Sequence, residues 1–124
     1  MEELLRQGLT ALGLPPESAP DLARYGEMLR EKNRVMNLTA IADPAEIAAL
    51  HFLDSAALLT LADFRNKRVA DVGTGAGFPG LPLRILEPSL SLTLLDAQNK
   101  RVEFLKEVCA ALGLSDVTCV HARA

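Results

Sequence analysis

The chain has 124 residues, with 13 basic and 16 acidic side chains, a formal net charge of −3 and 49% hydrophobic content. That is one domain or less, with enough apolar residues for a core. No apolar run reaches the ~18 residues of a membrane span, and the charge balance does not advertise binding through phosphate contacts.

The acidic start, Met1-Glu2-Glu3, argues against a secretory signal peptide. Leu4, Leu5, Leu9 and Leu12 follow at helical spacing, and Gly13 is a stop. After the Pro15-Pro16 break, Ser18, Pro20 and Asp21 open a second helix with Leu22, Tyr25, Met28, Leu29 and Lys32 on one side. Arg24, Glu27, Arg30, Glu31 and Arg34 form its mixed-charge, solvated face, and Tyr25 is read as an amphipathic packing residue. Asn37-Leu38-Thr39-Ala40 is a turn. Asp43 as N-cap, Pro44 at the first helical position and Glu46 three residues after the cap start a third helix, expected to run to about Thr60. Ile47, Leu50, Leu53, Ala57 and Leu58 would face the core, and His51 and Asp54 share one side. A His–Asp pair at that spacing suits a local hydrogen bond better than a catalytic dyad, and no nucleophile context lies beside it.

Beyond the polar link Arg65–Arg68, the apolar run Val69–Val72 ends in Gly73, Gly75, Gly77 and Gly80, and Pro79 opens a short helix to Leu86. That order is a buried strand, a tight turn and a helix start. Glycine permits positive φ and lets backbone N–H groups lie against a ligand, and a helix start adds unpaired donors. A dinucleotide fingerprint G-x-G-x-x-G exists at Gly75, Gly77 and Gly80, but it should begin almost at the strand end. Counted from Gly73, its third position is Phe78. The spacing acidic-x-Gly-x-Gly-x-Gly fits without a shift as Asp71, Gly73, Gly75 and Gly77, and looks like the first motif of S-adenosylmethionine-dependent methyltransferases. A carboxylate there suits an ammonium and a sulfonium better than a pyrophosphate.

Leu90–Leu95 is a second strand closed by Asp96, Asn99–Leu112 a helix stopped by Gly113, and Val117–Val120 a third strand. The alternation implies α/β class with a parallel sheet in the order 3-2-1. Asp96 lies 19 residues beyond Gly77 at a strand end, where a carboxylate can accept both hydroxyls of an adenosyl ribose; the plainer reading is a helix cap. Lys100 and Arg101 are surface charge unless an anionic partner meets them. Cys109 and Cys119 have neither metal spacing nor a disulfide framework, as befits reduced thiols in a cytoplasmic protein.

Asn37-Leu38-Thr39, His51-Phe52-Leu53-Asp54-Ser55, Asp71 to Gly80, Leu94-Leu95-Asp96 and Lys100 to Leu105 together resemble the bacterial small-subunit (16S) ribosomal RNA guanine-N7 methyltransferases, the RsmG or GidB family, from about Arg24 to Ala124. The resemblance implies an N-terminal helical region, 1–66, on the first half of a Rossmann-like methyltransferase domain, 67–124. It implies methyl transfer from S-adenosylmethionine to N7 of a guanine in the small ribosomal subunit. By position, Gly73 and Phe78 would touch the cofactor, Asp96 its ribose and Ala124 the region of its adenine. Asn37, His51 and Arg123 would lie on the RNA or active-site side. Guanine N7 carries no proton, so such an enzyme needs no general base, and alignment with a matched polar site suffices.

The family's chains are longer and continue the sheet beyond the first strand. On that reading this chain is a truncated product with little or no activity alone, and its first strand is an exposed edge inviting self-association. Two other classes stand beside it: a dinucleotide-dependent oxidoreductase using the shifted register, and a non-catalytic interaction module.

Overall fold

A computed structural model of the chain describes residues 1–38 and 43–123. Helix α1 (Glu2–Ala11) buries Leu5 and Leu9, while Leu4 stays 46% exposed. Helix α2 (Ala19–Met36) buries Leu22, Tyr25, Gly26 and Leu29 and ends at Asn37, whose left-handed backbone (φ 49°) closes the last turn. A left-handed residue at that place is how helices commonly stop, and Asn tolerates it. After the second described segment begins, Asp43 accepts the Glu46 N–H as the capping box requires.

From Pro44 to Thr60 the chain is helical but not uniform. One turn, α3 (Pro44–Glu46), leads into a π-helical stretch over Ile47–Phe52, then α4 (Leu53–Ala57) and a 3₁₀ turn over Leu58–Thr60. The π stretch changes which residues face inward. Ile47 and Phe52, five apart, are both fully buried, and Leu50 is half exposed. An expectation built on three- and four-residue steps therefore misplaces Leu50, because a π turn carries one more residue than an α turn.

The α/β part comprises strand β1 (Arg68–Val72), helix α5 (Gly80–Leu86), strand β2 (Ser91–Asp96), helix α6 (Asn99–Leu112) and strand β3 (Val117–His121). The three strands form one parallel sheet with β2 in the middle, so the 3-2-1 order holds. Val72 stands opposite Leu95, and Asp96 opposite His121. Leu92, Leu94 and Asp96 are buried on one face of β2, whereas Arg68, Ala70 and Val72 of β1 are exposed, so the expectation of a buried first strand is corrected: lying at the sheet edge, β1 has no fully buried residue. Among the described residues β1 pairs with β2 alone and is an edge. Leu5, Leu22 and Phe52 of the helical region share one apolar cluster with Leu81, Leu94 and Leu105. Among the described residues no helix is long and apolar enough to cross a membrane.

Candidate functional site

Parallel pairing of β1 with β2 delivers the glycine loop to the carboxyl end of β2, and that placement determines the loop's hydrogen bonds. The N–H groups of Gly73 and Thr74 both donate to the Leu95 carbonyl at 3.0 Å, and Gly75 N–H donates to Asp96 Oδ2 at 2.9 Å. Gly77 and Phe78 N–H donate to the Thr74 carbonyl. Asp71 Oδ2 accepts from the Thr74 hydroxyl at 2.7 Å and from Gly80 N–H at 2.9 Å. In the first turn of α5, Leu81 N–H reaches Gly77 O, Pro82 has no N–H, and Leu83 N–H reaches Pro79 O. The expectation that these N–H groups lie against a ligand is therefore corrected. Acceptors brought in by β2 and Asp71 take the N–H groups of Gly73, Thr74, Gly75 and Gly80, and carbonyls of the loop itself take those of Gly77, Phe78, Leu81 and Leu83.

The glycines divide into two kinds. Gly73 (φ 70°) and Gly75 (φ 62°) have left-handed backbones, and nothing lies within 4 Å of where a Cβ would stand. Their bare Cα faces are open. Gly77 (φ 110°) is instead pressed on Tyr25 and Leu105, and Gly80 on Asp71 and Leu94. So Gly77 serves close packing inside the loop, and only Gly73 and Gly75 present a surface that a bound group can lie on.

Asp96 is 4% exposed at the end of β2. Besides Gly75, it accepts from Gln98 N–H through Oδ1 at 2.9 Å, and Arg101 stands 3.6 Å from the same oxygen. The cap reading is not realised, since α6 has Gln98 as its N-cap and no side-chain cap bond; Asp96 closes the turn before it, and of the roughly four acceptor directions of a carboxylate two are taken by backbone. Arg101 Nε is buried without a hydrogen-bond partner. Ala122 N–H donates to the Asp96 carbonyl, which sets exposed Arg123 one residue further along the same corner. Ala124 lies outside the described residues, as do Thr39 and Ala40 of the turn after Asn37.

Phe78 carries the loop toward the helical region. Its ring stacks on His51 (centroids 4.4 Å apart, planes 18° apart), and His51, Asp54, Ser55, Phe78 and Pro79 border a shallow groove of about 250 Å³. Burial lowers the His51 pKa, and the nearby Asp54 charge only partly opposes it. Asn37 is exposed at the end of α2, and Lys100 Nζ donates to the Met36 carbonyl beside it, tying that end to the first turn of α6. Asp71, Gly73, Gly75, Phe78 and Asp96 therefore form one corner, with His51 behind Phe78 and Asn37 and Arg123 at its margins.

Sequence reasoning passed over Thr74 and gave Arg101 and Tyr25 other roles, as surface charge and as a packing residue. Thr74 is buried and bridges Asp71 to the loop; a hydroxyl inside a glycine turn is a legible signal. Arg101, in the first turn of α6, faces Asp96 across the turn that follows β2, and no helical spacing relates the two. Tyr25 gave no local signal, being 51 residues from the carbonyl it binds. The wider grooves of the molecule lie elsewhere, about 510 Å³ between α2 and α6 and about 690 Å³ beside Leu14, Thr60 and Glu87.

The corner's chemistry is one-sided. It offers the Asp71 and Asp96 carboxylates and apolar glycine surface, with the N–H groups of Gly73, Thr74, Gly75 and Gly80 already bonded, so it fits hydroxyls and a cationic group better than an anion. Asp96 thus keeps acceptor capacity beside the open faces of Gly73 and Gly75.

Comparison with known proteins agrees in the region that builds this corner. The family model described as GidB, rRNA small subunit methyltransferase G, matches residues 18–124. Curated relatives named "Ribosomal RNA small subunit methyltransferase G" include one from Alkaliphilus metalliredigens, 48% identical over 124 residues, covering 98% of this chain and 52% of the relative. Others come from Acetivibrio thermocellus, 44% identical with 100% and 52% covered, and Roseiflexus castenholzii, 45% identical with 100% and 53% covered. The chain thus spans about half the length of these relatives. With the glycine corner, the sheet order and this match together, the chain belongs to the GidB family of rRNA small subunit methyltransferases.

Proposed function

We propose that this chain is the cofactor-binding part of an enzyme that transfers a methyl group from S-adenosylmethionine to N7 of a guanine in 16S ribosomal RNA. The observation that carries the cofactor reading is the Asp71 carboxylate bonded to Gly80 N–H, with Leu81 and Leu83 N–H also satisfied. Dinucleotide sites hold a pyrophosphate on free N–H donors at the helix start. Here those donors are absent and a carboxylate stands in their place, which opposes a pyrophosphate and favours a sulfonium and an ammonium.

When bound, the cofactor supplies an electrophilic methyl on a sulfonium. The chain's residues supply position: Asp96 accepts ribose hydroxyls, the open faces of Gly73 and Gly75 take the nucleoside body, and Phe78 closes the side toward His51. Ala124, outside the described residues, belongs by resemblance beside the adenine. Asn37, His51 and Arg123 face the RNA side of this reading. N7 carries no proton, so no base is required. The lowered pKa of His51 keeps its ring neutral near pH 7, suited to stacking or hydrogen bonding rather than to holding a charge.

The partner of the whole enzyme is the small ribosomal subunit. Calorimetric titration of the chain with S-adenosylhomocysteine and with NAD tests the reading. Binding of the former and silence with the latter is expected; the reverse pattern overturns it.

A further inference from the structure

We infer that Tyr25, on a helix outside the sheet, is a positioning residue that holds the cofactor loop in its binding shape. Its hydroxyl donates to the Ala76 carbonyl, fully buried and 51 residues away in sequence. Gly77 lies so close to the same hydroxyl that a Cβ there would overlap it and would also stand 2.8 Å from Leu105 Cδ2. The Phe78 ring then stacks on the Tyr25 ring, centroids 5.5 Å apart and planes 6° apart. Three consecutive loop residues therefore rest on one side chain. Phe52 meets both rings edge-on, at 5.2 Å from Tyr25 and 5.4 Å from Phe78.

The loop has two anchors. Leu95, Asp96 and Asp71 hold Gly73 to Gly75 from the sheet side. Tyr25 holds Ala76 to Phe78 from the helical side. The open faces of Gly73 and Gly75 lie at the first anchor, and their aim depends on the second staying fixed. Burial keeps the phenol protonated, its pKa well above 10.0, so the donor persists at any working pH. The helical region is then part of the cofactor site through Tyr25, which reaches the loop and not the corner itself.

The test is Tyr25→Phe, which removes the hydroxyl and keeps the ring. In the unliganded chain, amide hydrogen exchange at Gly77 and Phe78 is compared with Leu105 and Val108 of α6. Losing one buried hydrogen bond should speed loop exchange about three- to tenfold relative to α6, and weaken S-adenosylhomocysteine binding by a like factor. Leu9→Ala, buried in α1, lowers stability overall and should leave both the exchange ratio and the affinity unchanged. An exchange ratio equal to that of the wild type overturns the inference. The affinity arm rests on the proposed function: a faster loop with unaltered affinity overturns the positioning role, whereas a wild type that binds no S-adenosylhomocysteine sinks the cofactor reading and leaves the exchange result to decide the anchor. If Tyr25→Phe does not fold, Phe78→Leu, which removes the stack, is read by exchange alone with the same two outcomes.

Discussion

Replacing Asp96 by Asn keeps the size of the side chain and removes its charge, and the hydrogen bonds around it determine the cost. The carboxylate accepts from two backbone donors, Gly75 N–H and Gln98 N–H, one on each oxygen at 2.9 Å. An amide offers one oxygen and one NH₂, so one of those N–H groups must face another donor. A buried donor left without its acceptor costs about 1–3 kcal/mol, and the surviving bond to a neutral oxygen is weaker than one to a carboxylate. Arg101, at 3.6 Å and with a 29% exposed side chain, adds less than about 1 kcal/mol. Asp96→Asn should therefore destabilise the chain by about 2–4 kcal/mol, a large share of a typical ~5–15 kcal/mol. Urea unfolding monitored by circular dichroism should show the midpoint falling by about 1–2 M with an unchanged slope. A midpoint within about 0.3 M of the wild type would refute the reasoning. Asp96→Ala would loosen the loop as well as remove the proposed ribose acceptor, so its loss of affinity alone does not identify a sugar contact.

Asp71→Ala and Thr74→Val should each destabilise the chain, and a double-mutant cycle should return a coupling of about 1–2 kcal/mol through the 2.7 Å bond; additivity would contradict it. Gly77→Ala should cost more stability than Gly75→Ala, because both strain a positive φ but only residue 77 also meets Tyr25 and Leu105; thermal melts of the two variants decide. Because burial lowers the His51 pKa below its ordinary 6.5, the folded chain binds fewer protons than the unfolded chain just below that value. Stability should be full above pH 6.5 and fall as pH drops through the lowered pKa, and His51→Gln should flatten that slope in urea melts. The free edge of β1 should drive self-association, seen as concentration-dependent sedimentation; a monodisperse monomer at high concentration counts against it.

The α/β half was legible because its signals are local. The apolar run over Val69–Val72, the glycines, Asp96 at a strand end and Gly113 as a stop each specify their element within a few residues, and α6 ends where Gly113 takes φ 65°. The π stretch was not legible. It is chosen by what Ile47 and Phe52 must pack against, and no short-range pattern encodes that. Nor was the fate of the loop's N–H groups, since their acceptors, Leu95 O and the Asp96 carboxylate, arrive through strand pairing. Tyr25 is the sharpest case. Its spacing on α2 announces a packing residue, and its hydroxyl acquires a task only when the glycine loop is folded against it.

The central claim is that a nucleoside lies on the open faces of Gly73 and Gly75 with its sugar at Asp96. A crystal of the chain soaked with S-adenosylhomocysteine tests it most directly. The ribose hydroxyls should lie within hydrogen-bond distance of Asp96, with the ligand covering Gly73 and Gly75. Ligand density in the groove between α2 and α6, with the glycine corner bare, would contradict it.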